Sequence, residues 1–298
     1  MRLESMEAIC AAAQAEGIAF WEVVLLYDIE ERQCTREESI AKMLGVWKAM
    51  TEASDSYTGQ RRSVSGLVGG DGLKMRMYNH RGDSLTGSYV REVIAEALSM
   101  AESNACMRRI VAAPTAGACG VMPAVLLPLW HGEKITQRQV IEALYTACGI
   151  GEVIAYNAGM SGASGGCQAE IGTAAAMAAG ALVHIRGGDM DMICSAAAMA
   201  LKNLMGLICD PVAGLVEVPC VKRNVAGAMT AVSAAEMALA GIESRVPVDQ
   251  VIKAMGEVGR HMPIEFKETA LGGLAATPFG KAVKERQKER DKAGYLKA

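Results

Sequence analysis

The chain has 298 residues, 51% of them hydrophobic, and a formal net charge of -3, with an isoelectric point near 5.9. This composition excludes a globally disordered chain, and the charge offers no basic surface for nucleic acid or an anionic membrane. Small and flexible side chains make up the apolar fraction, with 32 Gly, 19 Met and only 4% aromatic residues. Met fills irregular gaps between closely approaching helices, so the composition predicts a compact all-α fold.

Helical periodicity dominates along the chain. The first segment, residues 4–15, reads as an amphipathic helix; its Glu4 and Glu7, with Glu16 just beyond, do not fit a secretory signal. Residues 23–26 form a modest strand candidate, and 36–53 a helix opened by a capping box of Thr35 and Glu38. A glycine-rich stretch at 63–72 leads to a second strand candidate at 73–78, then a helix at 89–101. The glycine-rich loop 114–120 precedes a helix at 137–149, opened by a capping box of Thr136 and Gln139. Beyond the loop at 159–166, the segments 170–185, 190–208, 225–241 and 249–258 are apolar nearly all round, as central helices should be. The apolar runs 171–185 and 193–209 fall short of the roughly 20 residues of a membrane span. Lys202 and Asn203 interrupt the second, so both read as buried core helices. Glycine-rich loops also occupy 210–219 and 269–280, and loops on a rigid scaffold commonly carry function. One helical domain, residues 1–283, is predicted, followed by a charged tail, 284–298, with no apolar face.

Nine cysteines in so long a chain, without a signal pattern, predict reduced thiols and a cytoplasmic location. There is no Cys-x-x-Cys, His-Glu-x-x-His, Walker A or Gly-x-Gly-x-x-Gly pattern. Gly162-Ala163-Ser164-Gly165-Gly166 satisfies Gly-x-Ser-x-Gly, but a nucleophile elbow needs a strand before it, and 153–158 is weakly strand-like. The same loop runs into a helix near Cys167, where backbone amides favour a thiolate. The residues alone leave two readings of Cys167 open: a metal ligand, and a thiol packed among alanines. Cys209 and Cys220 stand at the two ends of a loop containing Pro211, Gly214 and Pro219, so their sulfurs can converge. Cys119 is the only other thiol in a glycine-rich loop. The amides of 114–120 and the Thr115 hydroxyl can hold a carboxylate, or simply form a tight turn. Glu170, His184 and Lys267 are candidate general bases, with Glu268 beside the last; each also reads as structural. Arg61, Arg62 and His80 flank 63–72 and are candidates to face a substrate or partner chain.

Four motifs in order resemble the iron–sulfur L-serine dehydratases: Pro114-Thr115-Ala116-Gly117-Ala118-Cys119-Gly120; Gly166-Cys167-Gln168-Ala169-Glu170-Ile171-Gly172; Cys209-Asp210-Pro211 through Val218-Pro219-Cys220; and Lys267-Glu268-Thr269-Ala270-x-Gly-Gly. The similarity extends to about Val283. The resemblance implies an all-α fold and a 4Fe-4S cluster held by Cys167, Cys209 and Cys220. It further implies that an open iron acts as Lewis acid on the hydroxyl of L-serine, yielding pyruvate and ammonia. Thr115, Ala116, Gly117 and Gly120 would cradle the substrate carboxylate. The chain departs from single-chain members in lacking a Ser-His-Thr-x-Gly motif, a regulatory α/β domain and a C-terminal cysteine. It therefore looks like the α subunit of the two-subunit form, completed by a separate β subunit.

Two other classes are weighed against this one. A pyridoxal-phosphate lyase would cradle phosphate at 161–166, and needs a nearby Schiff-base lysine and alternating strands and helices. A non-catalytic helical scaffold would use its cysteines only for packing.

Overall fold

The computed structural model describes residues 3–81, 84–292 and 294. Among them there is no strand; one isolated bridge joins Cys209 to Lys267. The all-α expectation holds, and the alternating architecture of a pyridoxal-phosphate lyase is absent from the described residues.

The N-terminal helices α1 (Met6–Glu16) and α2 (Phe20–Arg32) meet at a bend of 100°. Helix α3 (Arg36–Asp55) begins at the Thr35 capping box, where the Thr35 hydroxyl accepts from the Glu38 amide and the Glu38 carboxylate from the Thr35 amide. Helices α4 (Asp71–Asn79), α5 (Ser88–Ala105) and α6 (Val121–His131) follow. Then comes α7 (Gln137–Ala158), opened by the reciprocal Thr136–Gln139 box. A single turn, α8 (Gly162–Gly165), leads into α9 (Cys167–Ile185). Helices α10 (Met190–Leu204), α11 (Cys220–Leu239), α12 (Val248–His261) and α13 (Pro278–Lys292) follow among the described residues, with 3-10 turns at Val212–Gly214, Ile264–Phe266 and Gly273–Ala276.

Helix α9 is the axis of the molecule. Nearly every residue from Cys167 to Ile185 is buried, and α6, α7, α10, α11 and α12 pack around it. Its alanines and glycines allow backbones to approach: a Cβ on Gly180 would stand 2.2 Å from Ile150 Cδ1 of α7. A Cβ on Gly227 of α11 would meet Ile171 Cγ2 at 2.8 Å. No single helix among the described residues is long and apolar enough to cross a membrane.

Both strand candidates are helical. Residues 23–26 lie in α2, where Val23, Val24 and Leu25 are buried together. A helical face that reaches the core overrides the β preference of valine. Residues 73–78 lie in α4, whose free first-turn amides find an external partner in the Glu102 carboxylate, which accepts from Gly70, Asp71 and Gly72 at 3.1, 2.8 and 3.3 Å. The segment 153–158 is the last part of α7, so Ser164 has no strand before it, and its hydroxyl donates to the Ser161 carbonyl. This is no nucleophile elbow.

Candidate active site

Three connections bring the site cysteines together. Ser161 caps the α8 turn by accepting from the Ser164 amide, and Gly166, at φ 76°, turns the chain into α9 at Cys167. A side chain at Gly166 would collide with the Leu207 carbonyl, 2.9 Å from an added Cβ. Gln168 stitches the end of α10 onto the start of α9, with its amide donating to Leu207 O at 2.9 Å and its Oε1 accepting from Gly206 N at 2.8 Å. The next residues reach Cys209, which the bridge fixes: its amide donates to Phe266 O at 2.8 Å, and its carbonyl accepts from Glu268 N at 2.9 Å. Gly162 leaves room for this sulfur, since an added Cβ would lie 2.8 Å from Cys209 Sγ. Cys220 is the first residue of α11, at the far end of the turn-containing loop.

Arg223, one turn into α11, ties these pieces to one another. Its guanidinium donates to Cys167 Sγ at 3.3 Å, to Ile208 O at 2.8 Å and to Asp210 Oδ1 at 2.8 Å. Asp210, 2% exposed, also accepts from the Leu274 amide at 2.8 Å. Cys167 is held below the ordinary thiol range, first by a hydrogen bond from Cys209 and then by the Arg223 charge. Cys209 is correspondingly pushed up by its role as donor to Cys167. Burial, with the nearby Cys167 charge, pushes Cys220 up to about 12.

The loop 114–120 lies alongside. The Thr115 hydroxyl donates to Glu170, and Gly117 packs so tightly on that carboxylate that an added Cβ would lie 2.7 Å from Oε1. Burial raises the pKa of Glu170. From the other side, fully buried Asn224 donates to Gly117 O at 2.7 Å and accepts from Gly120 N at 2.8 Å. The Gly120 amide is therefore already engaged by Asn224, as the Thr115 hydroxyl is by Glu170. Cys119 turns away, its thiol directed to Met100 O at 3.7 Å and pushed up to about 12 by burial.

Of the three candidate bases, only Glu170 is held at the thiols. His184 lies in the last turn of α9 and pairs with Glu142 at 3.3 Å. The 17 residues that separate it from Cys167 span about 26 Å of helix. Lys267 supplies backbone to the Cys209 bridge, but its ammonium is directed to Arg260 O at 3.4 Å. Glu268 does approach, its carboxylate 3.3 Å from a Cβ built on Gly162. Arg62 folds onto its own loop, donating to Gly59 O and Arg61 O. Arg223 and Asn224 were not singled out by sequence. They follow Cys220 at i+3 and i+4, the spacing that shares a helix face, but a helix predicted from 225 starts one turn too late to reveal it. Among the described residues, no group of three or more His, Cys, Asp or Glu side chains is placed to hold a metal ion.

Fold and site together define a helical protein whose polar centre is built from two cysteines at helix starts and a third on the bridge to Lys267, braced by one arginine. The chain belongs to the serine dehydratase alpha chain family, whose model matches residues 15–275. It is 44% identical over 282 residues to the probable L-serine dehydratase, alpha chain, of Bacillus subtilis, covering 95% of this chain and 94% of that one. It is 39% identical over 283 residues to the L-serine dehydratase, alpha chain, of Peptoniphilus asaccharolyticus, covering 95% and 97%. Against L-serine dehydratase 1 of Escherichia coli, 43% identity extends over 181 residues, 60% of this chain but only 40% of that one.

Proposed function

We propose that this chain is the α subunit of a cytoplasmic L-serine dehydratase. In this reading Cys167, Cys209 and Cys220 hold a 4Fe-4S cluster, and a separate β subunit completes the site. The observation that carries the reading is the convergence of these thiols, from three separate elements, beside the Arg223 guanidinium. The donor set fits the group: cysteine thiolates are the usual ligands of such clusters, and three protein ligands leave one iron free. When bound, the cluster supplies a Lewis acid for the serine hydroxyl.

The chain's own residues supply the rest. Thr115, Ala116 and Gly117, pinned between Glu170 and Asn224, orient the substrate carboxylate. Glu170 takes the α-proton, because burial gives its carboxyl a higher proton affinity than an exposed one has. Loss of that proton and of the hydroxyl as water leaves an enamine, which tautomerises and hydrolyses to pyruvate and ammonia.

Anaerobic reconstitution with iron and sulfide tests the reading. Wild-type protein is expected to bind iron and sulfide in equal amounts and to absorb in the visible. Cys167→Ser, Cys209→Ser and Cys220→Ser should each lose that absorbance, while Cys34→Ser and Cys119→Ser keep it. Glu170→Gln should keep iron and lose turnover. A Cys119→Ser protein as iron-poor as the three would overturn the ligand set, and an active Glu170→Gln enzyme would overturn the base.

A further inference from the structure

A band of exposed apolar side chains borders the thiol site. Ile264 and Leu271 are 61% exposed, Phe279 55%, Leu274 41%, Val64 40% and Val216 38%. Hydrogen bonds tie the segments that carry them to one another. Ile264 and Leu271 flank the residues that bridge to Cys209, and Thr269 Oγ1 donates to Ile264 O at 2.9 Å. The Leu274 amide donates to Asp210, next to Cys209, at 2.8 Å. Val216 precedes Glu217, whose buried carboxylate accepts from the Ser63 hydroxyl at 2.6 Å and from the Ser65 hydroxyl. Between those serines stands Val64, whose carbonyl accepts from Arg290 of α13, the helix that carries Phe279, at 2.9 Å. Water-soluble monomers rarely expose contiguous apolar patches of more than a few hundred Å².

We infer that this band is the surface on which the β subunit docks. The inference rests on the two-subunit reading above and adds where the subunits meet. The occupant follows from the comparisons: the relatives matched end to end are named alpha chains, whereas the E. coli dehydratase is matched over only 40% of its length. A polypeptide corresponding to that remainder needs a place on this chain, and a partner completing the active site must reach the thiols. The band meets both requirements, because the segment carrying Ile264, Leu271 and Leu274 is hydrogen-bonded to Cys209 and Asp210.

The test uses the full-length α chain, tagged and coexpressed with the β chain of the same organism. Wild-type α should retain β on affinity purification, and Ile264→Asp, Leu271→Asp and Phe279→Asp should each lower the retained β by about tenfold or more, since a charge buried in an apolar interface costs well over 1.4 kcal/mol. Leu26→Asp and Ile242→Asp, exposed on α2 and after α11, should retain β as wild type does. Thermal unfolding of each α variant alone should match wild type, which separates lost docking from lost folding. Undiminished capture by all three band variants would overturn the inference while leaving the two-subunit reading intact. So would light scattering showing that α alone dimerises and that Phe279→Asp abolishes the dimer. Failure of wild-type α to capture β, with full serine turnover by α alone, would instead overturn the two-subunit reading.

Discussion

Arg223 concentrates the residue-scale physics of the site. Its side chain is 15% exposed and that of Asp210 only 3%, so the pair is a buried one, whose value lies in mutual satisfaction rather than in net attraction. The guanidinium serves a sulfur, a main-chain carbonyl and a carboxylate at once, which its planar fork allows and an ammonium does not. Removing it strands Asp210 as an uncompensated buried charge. Arg223→Met is therefore expected to lower stability by about 3–5 kcal/mol, measured by urea unfolding. Pairing it with Asp210→Asn removes the stranded charge and should recover part of the loss. If the double variant proves as unstable as the sum of the singles, the pair does not act as a unit. This brace was illegible in the sequence for a specific reason: Arg223 has meaning only relative to Cys167, 56 residues away, and no local pattern encodes that contact.

At the scale of elements, local chemistry was legible where it is self-contained. The capping boxes at Thr35 and Thr136 satisfy their own helix ends, and the alanine-rich run of α9 is apolar on every face. Elements whose form depends on distant partners were misread: α4 depends on Glu102 for its first-turn amides, and α2 on the core that buries Val23, Val24 and Leu25. The tight seat of α9 yields a direct test. Gly180→Ala would place its Cβ 2.2 Å from Ile150 Cδ1, an overlap that the fully buried Ile150 must relieve by moving its δ-methyl within a packed core. The expected cost is about 1–3 kcal/mol. Ile150→Val deletes that δ-methyl, so the double variant should be more stable than the sum of the single effects by about 0.5–3 kcal/mol in denaturant unfolding. Strict additivity would mean that the two side chains do not share this space.

For the whole molecule, the site cysteines were legible as a set only through long motifs in order; spacing left them open to a bland reading. Their convergence depends on the Gln168 and Arg223 links, each of which joins residues far apart in sequence. The proposed partner has a different standing, since no contact within one chain reports it. It follows from the alpha-chain names of relatives matched over nearly their whole length, and from an apolar band beside the thiols. The thiols, the 114–120 loop and Glu170 are all present on this chain, so it should take up iron alone. Turnover requires the remaining substrate contacts and the exclusion of water, which an open face does not provide. Reconstituted without β, the chain should therefore form pyruvate from L-serine about a hundredfold more slowly than the coexpressed pair, the scale of loss expected for a misplaced substrate. A lactate dehydrogenase-coupled assay under anaerobic conditions reads this directly, with equal iron content in both preparations as the control. Equal rates at equal iron would mean that this chain holds a complete active site, and that the apolar band serves some other contact.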